Sequence, residues 1–120
     1  ILYNELKKED YVDFEFTGEC LLRDLINDLE DLSEDEKRYI NNRASVDFVI
    51  FDKMNKKPIL LIEVDGFAFH RNNEEQLKKD ELKNNIARKK NIPLLRFKTG
   101  EKAYDEQKII SEIRNVILKD

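Results

Sequence analysis

A chain of 120 residues has the length of one domain with one modest core, which leaves no room for a separate binding domain. Forty per cent of its residues are charged, and no apolar run approaches the length that spans a bilayer. The single cysteine, Cys20, excludes an internal disulfide, so a soluble protein in a reducing, cytoplasmic setting is expected. The net charge of −4 is unevenly spread: residues 1–52 hold six Lys/Arg against fifteen Asp/Glu (−9), and residues 53–120 hold sixteen against eleven (+5), so a basic face is compatible with the acidic total.

In chain order, Leu2 and Leu6 are four apart and predict the tail of an amphipathic helix over residues 1–8, carrying Glu5. The chain opens on Ile1 within this pattern, with no targeting segment, so it reads as a piece of something longer. Residues 11–16 alternate apolar and acidic positions, the period of a strand with one buried face, and Gly18 breaks that pattern. Leu21, Leu22, Leu25, Ile26, Leu29 and Leu32 recur at helical spacing. Ser33-Glu34-Asp35-Glu36 then forms a capping box for a second short helix reaching about Asn41. The run Ser45-Val46-Asp47-Phe48-Val49-Ile50-Phe51 predicts a strand, residues 53–58 a hairpin turn, and residues 59–65 a central strand that is apolar until its acids. Residues 74–90 predict a helix, residues 93–97 another strand, and Ile109, Ile113, Val116 and Ile117 a closing helix. A helix between the last two strands implies a crossover in a mixed sheet, and the class is α/β.

Alternate residues of a strand share a face, so Glu63 and Asp65 project together. An antiparallel hairpin through residues 53–58 sets Asp47 across from Glu63, and three carboxylates then converge. Crowded carboxylates repel unless a cation compensates, and oxygen ligands of this kind suit Mg²⁺ or Mn²⁺. On the following helix Gln76, Asp80, Lys83 and Ala87 form one stripe, flanked by Leu77 on one side and by Leu82 and Ile86 on the other. If that stripe faces the sheet, Lys83 offers a cation to phosphate or attacking water, Gln76 orients either group, and Asp80 pairs with a neighbouring base. The competing reading is an exposed helix face with intrahelical pairs. His70, the one histidine, could donate to phosphate, shuttle a proton or ligate metal, or simply pack at the surface. Arg96, at a strand end, fits a phosphate contact or a surface ion pair.

Asp47, Glu63-Val64-Asp65-Gly66, His70, Gln76, Asp80, Lys83 and Ile92-Pro93-Leu94-Leu95-Arg96-Phe97, in that order, resemble the PD-(D/E)xK nuclease superfamily. More narrowly, the chain is similar to the branch with an E-x-D-G…H signature. That branch contains very-short-patch-repair endonuclease-like proteins and nuclease-like domains at the ends of superfamily 1 helicases. The likeness covers residues 45–97 and is weak over residues 1–44, where only the helix–strand start resembles the superfamily's opening, with Glu5 as the candidate for its first-helix acid. It implies a restriction-endonuclease-like αβββαβ core with a mixed sheet flanked by helices, here with a helical insert between the first and second strands. It further implies a single nuclease-like domain over residues 1–120, Mg²⁺ or Mn²⁺ held by Asp47 and Glu63, to which the strand spacing adds Asp65 as a third acid, and DNA phosphodiester hydrolysis in repair or helicase-associated processing. DNA and covalently linked helicase or other DNA-processing domains are the partners implied, and no membrane. Asp65 stands where the superfamily commonly has its lysine, and Lys83 on the next helix is the candidate substitute. Asp47, Glu63, Asp65, Lys83, Gln76 and His70 are thus the expected catalytic residues. The alternative is a catalytically inactive module of the same fold that docks DNA or a protein partner.

Overall fold

A computed structural model describes residues 13–66, 74–99 and 106–117. Within them lie strands β1 (Phe14–Thr17) and β2 (Cys20–Leu21), helices α1 (Leu22–Leu25) and α2 (Glu34–Asn41), and strands β3 (Ser45–Val46), β4 (Phe48–Asp52) and β5 (Pro58–Gly66). Helix α3 (Glu74–Lys89), strand β6 (Leu94–Thr99) and helix α4 (Glu106–Ile117) follow. The main sheet runs β1-β4-β5-β6, antiparallel between its first three strands and parallel between β5 and β6. The helix expected over residues 1–8 lies outside the described residues. No described helix is long and apolar enough to cross a membrane.

The unbroken apolar run of β5 becomes a central strand because both of its faces are covered. Leu61 and Val49 pack on one side against Ile86 and Ala87 of α3 and against Leu22, Ile26, Leu32 and Ile40. Leu60, Ile62 and Ile50 pack on the other against Phe97 and against Ile113 and Ile117 of α4. The expected hairpin is present, with Phe48 opposite Ile62 and a bulge between Ile50 and Phe51. Lys56 takes the left-handed conformation in its turn, at φ 63°. The crossover is present too: after α3 ends at Lys89, Asn91 is left-handed at φ 58°, and the Ile92 N–H returns to the Ala87 carbonyl and releases the chain into β6.

Two expectations are corrected. The helix expected from Leu21 stops at Leu25, because Ile26 is extended (φ −122°, ψ 108°) and the Asp28 carboxylate accepts the Glu30 N–H at 3.0 Å, an Asx turn that competes with helical bonding. The leucines still reach the core, as Leu22 and Leu32 are buried, so burial and not helical pitch explains their spacing. The strand expected from Ser45 is broken at Asp47 into β3 and β4. β3 pairs with β2 in a two-residue ribbon that the sequence did not predict (Cys20 opposite Val46, Leu21 opposite Ser45).

The insert between β1 and β4 is tied to α3 through its acids. The Ser33 capping box is formed, with Ser33 Oγ accepting from the Glu36 N–H at 3.1 Å and Glu36 Oε1 accepting from the Ser33 N–H at 2.9 Å. The same Glu36 oxygen receives Lys89 Nζ at 2.7 Å, and Lys90 Nζ reaches Asp31 at 2.7 Å. Burial opposes ionisation of Glu36, but Lys89 and the Ser33 N–H outweigh it and hold its pKa below the ordinary value. Glu36→Ala removes half of the capping box and the partner of Lys89, and a loss of about 2–3 kcal/mol is expected. Urea denaturation checks this as a lowered midpoint at unchanged slope. A change below about 0.5 kcal/mol would show that the insert is held by its apolar contacts alone.

Candidate metal centre

Strand parity decides which side of the sheet carries the acids. Glu63 lies two residues beyond Leu61 and therefore faces α3. It is 5% exposed and receives the ammonium of Lys83, itself 8% exposed, from the buried half of that helix's stripe. Lys83 Nζ also donates to the Ser45 carbonyl at 2.6 Å, so one side chain links α3 to β3 and β5. The bend at Asp47 turns its carboxylate toward β5, where Oδ2 accepts the Val64 N–H at 2.8 Å. Extending the Phe48–Ile62 register by one step sets Asp47 opposite Glu63, near enough for its charge to act on the Glu63 carboxylate.

Burial raises the Glu63 pKa to about 7; the bond and charge of Lys83 pull against that rise, and the Asp47 carboxylate adds to it. The folded state therefore binds a proton at Glu63 more tightly than the unfolded chain does. Without metal this costs nothing below the ordinary value of 4.5, where both states are protonated, and costs fully above about 7. Stability in EDTA is thus expected to fall as pH rises between these values, by about 2 kcal/mol more in the wild type than in Glu63→Gln. Chemical denaturation of both proteins at pH 5 and pH 8 reads the difference, and equal slopes would show that Glu63 is ionised throughout.

A second polar group surrounds the lysine. Asp80 and Asn84 flank Lys83 on α3, and Arg96 of β6, in register with Glu63, grips both. Its Nε and Nη2 donate to Asn84 Oδ1 at 3.2 and 3.0 Å, Nη2 also donates to the Asp80 carbonyl at 3.2 Å, and Nη1 lies 3.4 Å from Asp80 Oδ1. This fork fixes the azimuth of α3 over the sheet, and with it the reach of Lys83. The Asp80 carboxylate is paired with a neighbouring base, as the sequence predicts, and also receives Gln76 Nε2 at 3.2 Å.

Tyr39 of α2, which sequence reasoning did not single out, is half-buried against the core cluster that includes Ile86 and Ala87 of α3, near enough to feel the charges of the site. Its hydroxyl is held neutral, with the pKa pushed up to about 12 by burial and by the charges of Glu63 and Asp80. The signal available was its place beside Glu36 and Ile40, the buried positions of α2, one turn apart.

The expected site is therefore assembled in part. Asp47, Glu63 and Lys83 come together, Gln76 sits one turn along α3 from Lys83's neighbour Asp80, and His70 and the side chain of Asp65 lie outside the described residues. Among the described residues no group of three or more His, Cys, Asp or Glu side chains could hold a metal ion. The donor chemistry nonetheless suits a hard divalent cation: the buried carboxylate of Glu63 and the half-buried one of Asp47 repel each other, and a single ammonium relieves them.

Residues 24–117 match the family described as "Protein of unknown function (DUF2726)". No curated protein and no solved structure matches the chain.

Proposed function

We propose that this chain, which belongs to the DUF2726 family, is a metal-dependent deoxyribonuclease domain with a restriction-endonuclease-like core of the PD-(D/E)xK type. The observation that carries this reading is the seating of the Lys83 ammonium on the Glu63 carboxylate, with Asp47 alongside. An acid pair with a lysine on the neighbouring helix restores the cation that Asp65 displaces from the superfamily's usual position. The order of strands, with an antiparallel hairpin followed by a helical crossover to a parallel strand, supports the same core.

In this reading Asp47 and Glu63 supply carboxylate oxygens to Mg²⁺ or Mn²⁺, with Asp65 as the third acid. When bound, such an ion polarises a phosphoryl oxygen and lowers the pKa of water. Lys83 places positive charge where negative charge accumulates in phosphoryl transfer, in surroundings that exclude water and strengthen the interaction. Arg96 and Asp80 hold the helix that presents it, and Gln76 bonds to the same Asp80.

The second reading, a silent module that docks DNA or a partner, draws on the same contact, since Lys83 already satisfies Glu63 without an ion. Metal-dependent stability separates the two. Mn²⁺ or Mg²⁺ at about ten times its Kd is expected to stabilise the wild type by about 1.4 kcal/mol, a rise of several degrees in Tm, and Glu63→Gln to abolish the response. A melting curve unchanged at millimolar metal would favour the silent module.

A further inference from the structure

A concave feature lies one turn along α3 from Lys83. It is a cavity of about 500 Å³ between the C-terminal half of α3 and the start of β6, with Arg88 and Arg96 in its walls and no Asp or Glu among its described lining residues. In a chain with a net charge of −4 this basic lining runs against the overall composition. Ala87, Pro93 and Leu94 contribute apolar surface to the lining, and Asn84 adds an amide. The two arginines differ in their commitments. Arg96 is clamped by Asn84 and Asp80, whereas exposed Arg88 donates to the neutral amide of Asn85 at 3.4 Å. Arg96 joins the cavity to the acid pair, because it stands in register with Glu63.

We propose that this cavity is a binding groove for the sugar-phosphate backbone of the substrate DNA strand, with Arg88 taking a phosphate beyond the one at Lys83. The proposal rests on the nuclease reading for the identity of its occupant. Guanidinium groups match phosphate oxygens in geometry and charge, while an apolar lining suits the face of a deoxyribose. Arg88 follows Lys83 by five residues, roughly 7.5 Å along the helix axis and about 140° around it, so it meets the backbone on a different face of α3 from the buried lysine. A groove reading phosphates alone positions the strand and confers no sequence preference.

The test is fluorescence anisotropy of the full 120-residue chain with a labelled DNA duplex in EDTA, across a salt series, for the wild type, Arg88→Gln and Arg88→Lys. Arg88→Gln is expected to weaken binding about tenfold at 0.1 M salt and to lower the slope of log K against log salt by about one, irrespective of DNA sequence. Arg88→Lys keeps the charge and is expected to retain the slope. Wild-type affinity and slope in Arg88→Gln would overturn the groove, and so would an absence of measurable DNA binding by the wild type. Cleavage with Mn²⁺ is scored separately. A chain that cuts DNA but is indifferent to Arg88 loses the groove and keeps the nuclease assignment, and a chain that binds through Arg88 and cuts nothing does the reverse.

Discussion

Asp47→Asn is expected to reduce metal-dependent DNA cleavage to background, a loss of about a thousandfold or more, while leaving the fold intact. The local geometry explains why the two effects separate. The Asp47 carboxylate accepts the Val64 N–H, a bond that an asparagine carbonyl can also accept, so the bend between β3 and β4 has no reason to relax. What the amide lacks is the anionic oxygen that a divalent ion requires. Removing one of two repelling carboxylates also relieves Glu63, and the melting temperature in EDTA is expected to stay level or rise slightly. A parallel fall in activity and in EDTA stability would instead make Asp47 a structural residue of the bend.

Lys83→Met is the second large effect, with kcat expected to drop about a hundredfold or more and KM to change little. The ammonium that would stabilise developing charge is lost, but so is a competitor for the Glu63 carboxylate, so metal affinity is expected to be held or increased. Glu63 left without its lysine adapts by taking up a proton or an ion, which limits the cost to the fold. Slower chemistry together with unimpaired metal binding is the signature of a lysine acting on the reaction. Cleavage at wild-type rate by Lys83→Met would reject that role and leave the acids standing.

Sequence made the scaffold of this site legible because its signals are local. The turn residues between Asp52 and Pro58 dictate a hairpin, the period of the hairpin strands dictates which residues oppose, and the crossover helix dictates a parallel β6. Lys83 was visible for a similar reason, on a polar stripe flanked by Leu82 and Ile86, but only the Lys83–Ala87 end of that stripe is buried: Gln76 and Asp80 are half-buried, and Leu77, the expected edge on the other side, is exposed. The features that escaped depend on distant partners. The bend at Asp47 exists because β3 leaves the main sheet to pair with β2, and nothing within residues 45–51 announces that partner. The end of α1 at Leu25 follows from the Asx turn at Asp28 together with burial of Ile26 and Leu32 against the sheet, which leucine spacing alone imitates as a helix. The Arg96 fork and the Glu36–Lys89 pair join residues 12 and 53 positions apart, beyond any local pattern.

The most direct measurement is a nuclease assay of the wild-type chain on a labelled DNA duplex, titrated with Mn²⁺ through the millimolar range and reversed with EDTA. If Asp47 and Glu63 form a working centre with Lys83, strand cleavage appears with the ion, saturates with it and stops when it is chelated. No cleavage at any Mn²⁺ or Mg²⁺ concentration would contradict the account and leave a buried ion pair holding α3 to the sheet.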